Sequence, residues 1–235
     1  MAKFEIDGTT FLVDMSPGRE RQRSSSDFFV LVKTDRMLDF YRGLANKRPR
    51  DIMEVGMFEG GSLVYFDKLF KPRCLVGLDA RKEPIEPLEA YAANRPHIKT
   101  YYARYQDKPG TLMAAKENFP EGIDLVVDDA SHHYELSKAT FTMLFPLVRE
   151  GGTYVIEDWS WAHREAYQKP DAPWRHMPAL SNLIIELVVA STFVPQIESI
   201  YVDRALVAVT RGPGPFTAES LDLSKNLRGR TLSSL

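Results

Sequence analysis

A chain of 235 residues with 44% hydrophobic and 26% charged side chains is long enough for one large domain and too apolar to be disordered throughout. Thirty basic against 32 acidic residues leave a formal charge of −2, which excludes the strongly basic balance of a general nucleic-acid binder. A single cysteine, Cys74, excludes an internal disulfide framework and fits a reducing compartment. The longest apolar stretch, residues 183–194, is interrupted by Glu186 and falls short of the roughly 20 residues that span a bilayer. The first residues lack a charged start followed by an apolar run. A soluble, cytoplasmic protein is expected, with neither membrane nor nucleic acid as partner.

Strand-like and helix-like segments alternate, the pattern of an α/β sheet with crossover helices. Residues 4–13 form a hairpin through Asp7-Gly8, and the Ser- and Arg-rich residues 16–27 a mobile surface segment. Helical spacing of Phe29, Val32, Met37, Phe40, Tyr41 and Leu44 predicts a helix over 28–47 with Asp27 as N-cap. Core strands are predicted at 51–55, 74–78, 98–102, 123–127 and 153–156. Helices are expected over 62–70, 84–94, 111–118, 134–149 (stopped by Gly151-Gly152) and 179–193. Two strands, 197–202 and 206–210, close the sheet. About three residues separate them, too few for a parallel crossover, so the last strand runs antiparallel to its neighbour. Three parts follow: an N-terminal hairpin, arm and helix over 1–50, the main domain over 51–211, and a polar, poorly ordered tail over 212–235.

The first βα turn reads Glu54-Val-Gly56-Met-Phe-Glu-Gly60-Gly61-Ser62. Glycines there let backbone approach a ligand, and the helix N-terminus offers free N–H groups to an anion. The dinucleotide fingerprint G-x-G-x-x-G is not matched, because two bulky residues follow Gly56. Asp79 ends the second core strand, where a carboxylate accepts the hydroxyls of a ribose. Together these features point to a nucleoside-bearing ligand with a small carboxylate, such as an amino acid.

The ends of the fourth and fifth core strands carry Asp128-Asp129-Ala-Ser-His132-His133 and Glu157-Asp158. The carboxyl ends of parallel strands line the ligand crevice, so four carboxylates converge there and repel one another. Neither motif contains Lys or Arg. A hard dication such as Mg²⁺, which prefers oxygen ligands, resolves the conflict. Glu157 and Asp158 both reach it only if the strand has ended, because adjacent strand residues point to opposite faces. His132 is placed to take a proton from a substrate hydroxyl, as an imidazole can at neutral pH. Trp159, Trp161, His163, Trp174 and His176 crowd the following loop, whose flat rings suit sugar faces or planar ring systems and whose length suits a lid.

The turn, Asp79 and the antiparallel last strand resemble the class I S-adenosylmethionine-dependent methyltransferases over residues 51–211. That resemblance implies a Rossmann-like, mostly parallel seven-stranded sheet with helices on both faces. It also implies S-adenosylmethionine as cofactor. Glu54, Gly56, Gly60 and Ser62 would border its methionine part, Asp79 its ribose, Gln106 and Asp107 its adenine, and Asp128 would complete that site. Asp129-x-x-His132 and Glu157-Asp158 further resemble the macrocin and mycinamicin sugar O-methyltransferases. In their pattern Asp129, Glu157 and Asp158 bind Mg²⁺, and His132 is the base beside Asp129. The implied reaction is methylation of a sugar hydroxyl of a natural product or nucleotide-linked deoxysugar by a homo-oligomer. A catechol-type methyltransferase and a cephalosporin hydroxylase-like protein share this architecture. The competing class, a NAD-dependent short-chain oxidoreductase, needs a Tyr-x-x-x-Lys pair and is set aside at this point.

Overall fold

The computed structural model describes residues 2–172 and 174–216, with Leu221 and Leu223. Most of the polar tail expected over 212–235 lies outside them. The chain divides into two compact units, Met1–Glu121 and Gly122–Leu235.

In the first unit, β1 (Ala2–Ile6) and β2 (Thr9–Val13) form the expected antiparallel hairpin. Its turn residues Asp7 and Gly8 sit at φ 45° and 73°, the left-handed pair whose twist matches that of the flanking strands. The expected helix over 28–47 is corrected. Phe29, Val30 and Leu31 form a strand, β3 (Phe29–Leu31), parallel to β2, and helix α1 (Asp35–Leu44) starts only afterwards. Thr34 rather than Asp27 caps it, its Oγ1 accepting from the Met37 N–H at 3.3 Å. Aromatic and β-branched residues favour a pleated surface, and all three are buried.

The alternation then proceeds as expected. It gives β4 (Asp51–Val55), α2 (Gly61–Phe70), β5 (Cys74–Leu78), α3 (Glu86–Ala92), β6 (Ile98–Tyr101) and α4 (Pro109–Asn118), with β4, β5 and β6 parallel. Helix α2 is buried over most of its surface. Leu63, Val64, Tyr65 and Phe66 are all fully buried, because the helix packs on both β5 and β3. The Tyr65 ring meets Phe11 and Phe4 edge-on, and Phe66 meets Tyr41 at 4.9 Å between centroids. Gly61 makes this contact possible. A Cβ there would lie 1.9 Å from the Val30 carbonyl oxygen.

Residues 14–24 are tied down rather than loose. The buried Asp14 carboxylate accepts from the Ser16 N–H at 2.9 Å and the Gln22 N–H at 2.7 Å. These hydrogen bonds, that of Gln22 foremost, lower its pKa to about 2.

The second unit holds β7 (Ile123–Asp128), α5 (Tyr134–Leu144), β8 (Val148–Glu157), α6 (Glu165–Gln168), α7 (Ser181–Ala190), β9 (Ile197–Val202) and β10 (Leu206–Arg211). Strands β7 and β8 are parallel, and β10 runs antiparallel to both β8 and β9. Helix α5 ends at Leu144, not at 149. Residues Phe145–Leu147 make one 3₁₀ turn around Pro146, which lacks the N–H a continuing helix needs. Gly151-Gly152 therefore does not stop a helix. It lies inside β8, with Gly151 at φ 76°, beside a register shift against β7.

The larger sheet has the strand order β6-β5-β4-β7-β8-β10-β9. It is the Rossmann-like, mostly parallel seven-stranded sheet expected, with the last strand antiparallel. Among the described residues no helix is long and apolar enough to cross a membrane.

Two predictions follow from the packing. Gly61→Ala forces a methyl group into the Val30 backbone and should destabilise the protein by about 1–3 kcal/mol, read as a lowered midpoint in urea. Asp14 is held well below its ordinary value of 3.8. Its contribution to stability is therefore full above about pH 4 and is lost as pH falls through about 2. Asp14→Asn should lower stability at neutral pH, and the gap to the parent should close across that acid window. A gap that does not change with pH would exclude Asp14 as its source.

Candidate active site

The glycine-rich turn after β4 is built on left-handed residues, with Gly56, Phe58 and Gly60 at φ 96°, 48° and 77°. Only glycine takes such angles without strain; Phe58 is held there by what it bonds. The Met57 and Phe58 N–H groups donate to Asp79 Oδ2 at 3.0 and 3.1 Å. The Arg81 N–H donates to Oδ1 at 2.8 Å. Asp79 thus orders the turn from the end of β5; Oδ2 accepts two N–H groups, and Oδ1, which accepts one, keeps a lone pair for a further donor. The turn is pressed onto β5, where a Cβ on Gly77 would meet Met57 Sδ at 2.5 Å.

Arg81 was not singled out in the sequence. It reaches Asp79 at 3.9 Å and Glu59 at 4.0 Å. The signal was its position two residues after the strand-end acid.

Glu54 is fully buried in β4, in register with Gly77, and Ser62 is buried in the first turn of α2. Gln106 is buried after β6. Its neighbour Asp107 pairs with Lys108 at 2.6 Å.

In the second unit, one ligand atom each from Asp129, His132 and Asp158 lies within 4.8 Å of the others. His132 Nε2 stands 3.7 Å from Asp129 Oδ1. Two of the three residues have left-handed backbone, His132 at φ 56° and Asp158 at φ 49°. Glu157 is the last residue of β8, buried and in register with Leu206; it is not part of this group. Asp158 belongs to the turn beyond, its N–H donating to the Ala205 carbonyl at 2.9 Å. Arg164 approaches Asp158 at 3.8 Å from an exposed position. Two carboxylates and an imidazole at this spacing suit a divalent cation.

Asp128 is buried beside the group, and its burial raises its pKa to about 7. Its Oδ2 accepts from the Tyr154 hydroxyl at 3.3 Å. The sequence reading missed Tyr154, the one polar-tipped ring in the run Tyr154-Val155-Ile156.

The loop after β8 is anchored at its root. Trp159 Nε1 donates to the Asp203 carbonyl at 2.7 Å and Ser160 Oγ to the Arg204 carbonyl at 2.9 Å. Trp161, Trp174, Tyr167 and His133 form a cluster of touching rings, with centroids 4.9 to 6.4 Å apart. Trp174 keeps 43% of its surface exposed. His163, also in the loop, bonds to Ser181 Oγ at 2.7 Å.

Setting the oxidoreductase class aside for want of a Tyr-x-x-x-Lys pair overlooks Tyr134 and Lys138, which have that spacing. The structure supplies the reason to exclude it. The Tyr134 hydroxyl donates to the buried Glu186 Oε1 at 2.6 Å, and Lys138 Nζ meets the same oxygen at 2.8 Å. Burial and the Glu186 carboxylate raise the Tyr134 pKa, the reverse of an activated tyrosine.

Residues 53–159 match a family model described as a methyltransferase domain. Over that stretch the chain is similar to methyltransferase domains. An uncharacterized protein of Acanthamoeba polyphaga mimivirus is 27% identical over 158 residues, which cover 61% of this chain and 65% of that protein. Demethylmacrocin O-methyltransferase of Streptomyces fradiae is 32% identical over 125 residues, or 50% of this chain and 29% of the enzyme. The mycinamicin VI 2''-O-methyltransferase of Micromonospora griseorubida is 31% identical over 126 residues, with the same coverage of each chain. The chain thus spans under a third of the length of these two relatives. Among solved structures, MycE, the mycinamycin-pathway methyltransferase in complex with Mg, SAH and mycinamycin VI, superposes with a TM-score of 0.59 at 24% identity, covering 75% of this chain and 49% of that one. An O-methyltransferase from Bacillus cereus in complex with SAH superposes with a TM-score of 0.54 at 14% identity, covering 76% and 82%. Both share the fold.

Asp79→Ala removes the acceptor of two backbone N–H groups in the glycine-rich turn and of the Arg81 N–H. It should weaken S-adenosylhomocysteine binding by roughly 1–3 kcal/mol, measured by isothermal titration. Equal affinity in variant and parent would take Asp79 out of the site.

Proposed function

We propose that the protein is a Mg²⁺-dependent O-methyltransferase that transfers the methyl group of S-adenosylmethionine to a sugar hydroxyl of a small glycoside or nucleotide-linked sugar. The observation that carries this reading is the convergence of Asp129, His132 and Asp158 within 4.8 Å beyond the ends of two parallel strands in a chain similar over residues 53–159 to methyltransferase domains. The relatives support it, since their names give O-methylation of demethylmacrocin, of mycinamicin VI and of rhamnosyl tetracenomycin compounds.

Asp129 and Asp158 would hold the metal, whereas Glu157, the third acid that the resemblance implies, stays in the buried end of β8 outside their group. When bound, Mg²⁺ supplies positive charge that favours the ionised form of an acceptor hydroxyl. Asp79 and the turn over 56–61 would hold the cofactor, Asp79 through the remaining lone pair of Oδ1 to the ribose. His132 takes the proton of the acceptor hydroxyl, and the Asp129 carboxylate 3.7 Å away stabilises the imidazolium that results. Bound S-adenosylmethionine would supply the methyl group to that hydroxyl oxygen, its carbon–sulfur bond breaking to leave neutral S-adenosylhomocysteine. The exposed face of Trp174, in contact with His133, offers an apolar platform for the acceptor ring.

Excess EDTA should abolish turnover of a glycoside acceptor, and Mg²⁺ or Mn²⁺ should restore it; full activity in chelator would remove the metal from the reaction. His132→Ala should lower turnover by about 10²–10⁴-fold with cofactor affinity unchanged. His133→Phe, which keeps a ring against Trp161 and Trp174, should retain most activity. Rates for both variants at saturating Mg²⁺ separate the base from its neighbour, and near-parental turnover in His132→Ala would sink the assignment.

A further inference from the structure

We infer that Trp161 is a positioning residue that clamps the two halves of the acidic cluster together. This rests on the proposed role of Asp129 and Asp158 as metal ligands. The cluster is assembled from two separate turns, one after β7 and one after β8, and each turns at a left-handed non-glycine residue, His132 and Asp158. Trp161 bonds to both. Its indole Nε1–H donates to the His132 carbonyl at 2.8 Å, and its backbone N–H donates to the Asp158 carbonyl at 3.2 Å. One residue therefore holds the carbonyls of the two strained positions whose side chains must meet.

The ring itself is fixed. Tyr167 packs against it edge-on at 4.9 Å and Trp174 at 5.9 Å, and His133, the residue after His132, lies at 6.2 Å. A left-handed non-glycine residue persists only where its surroundings over-determine it. The indole bond supplies that restraint on the His132 side, 29 residues away in sequence. Groups that orient metal ligands from behind typically tune metal affinity 10–100-fold, and a clamp on the ligand-bearing turns belongs to that range.

Trp161→Phe keeps a ring among Tyr167, Trp174 and His133 but removes the indole N–H. Mn²⁺ binding, followed by electron paramagnetic resonance with S-adenosylhomocysteine present, should weaken by about tenfold. Amide hydrogen exchange over residues 129–133 should quicken, while the thermal midpoint stays near the parent's. Turnover should fall with the KM for acceptor little changed. Trp161→Ala loses ring and bond together and should show the larger effects; if it does not fold, Trp161→Phe stands as the test. Parental Mn²⁺ affinity and parental exchange in Trp161→Phe would overturn the clamp. If the parent binds no Mn²⁺, the metal reading of the cluster fails instead. The exchange measurement then still decides whether Trp161 holds the His132 turn.

Discussion

Successive residues of a β-strand point to opposite faces, so a strand that ends in two acids sends them apart unless the backbone turns between them. In β8 the turn comes at Asp158. Glu157 stays in the buried row of the strand, while Asp158 takes φ 49° and joins Asp129 and His132. The same device acts after β7, where His132 takes φ 56° and brings its ring back to within 3.7 Å of Asp129. Each such conformation costs roughly 1–3 kcal/mol for a residue other than glycine. The bonds from Ala205, which receives the Asp158 N–H, and from Trp161 offset that cost. The acidic cluster exists because the backbone is held in places it would not choose.

The first unit uses strain in the same way with different chemistry. Phe58 at φ 48° turns its N–H, together with that of Met57, onto the Asp79 carboxylate. The two amides orient the acid, and the acid holds the turn open at the end of β5. Glycine supplies the remaining freedom for different reasons at adjacent positions. Gly60 takes a left-handed angle, whereas Gly61 has ordinary helical backbone and is glycine because the Val30 carbonyl leaves no room for a Cβ. A motif that reads as a ligand-binding turn is therefore partly a packing motif, joining α2 to the small N-terminal sheet.

What was legible in the sequence was local. The alternation of apolar runs and helical spacing located β4 to β10 to within a residue or two, except the start of β8, because strand burial writes itself into consecutive residues. The chemistry-bearing acids at the strand ends were legible for the same reason. The failures were non-local. Residues 29–31 fit a helical period as well as a strand, and only pairing with β2 decides between them. The end of α5 depended on Pro146, a signal that the glycine pair further on obscured. Tyr154 and the indole of Trp161 act on partners brought near by the fold, 26 and 29 residues away, over separations that no spacing rule covers. The Tyr134-x-x-x-Lys138 pair is the converse case, a legible spacing whose chemistry the buried Glu186 cancels.

Electrostatics explains why such restraint is needed. Two ionised carboxylates within 4.8 Å of each other repel by on the order of 3 kcal/mol or more at an effective dielectric of about 20. Arg164 offsets little of this, since it is exposed and 3.8 Å from Asp158, and exposed pairs are worth under about 1 kcal/mol. Left to themselves the two turns would relax apart, and any cation would first have to draw them together. Backbone bonds that hold the turns in place before binding move that cost from the binding step to the folding step. The repulsion then becomes affinity for whatever positive charge enters. This is why the residues that matter most to the cluster include one, Trp161, that carries no charge and offers no ligand atom.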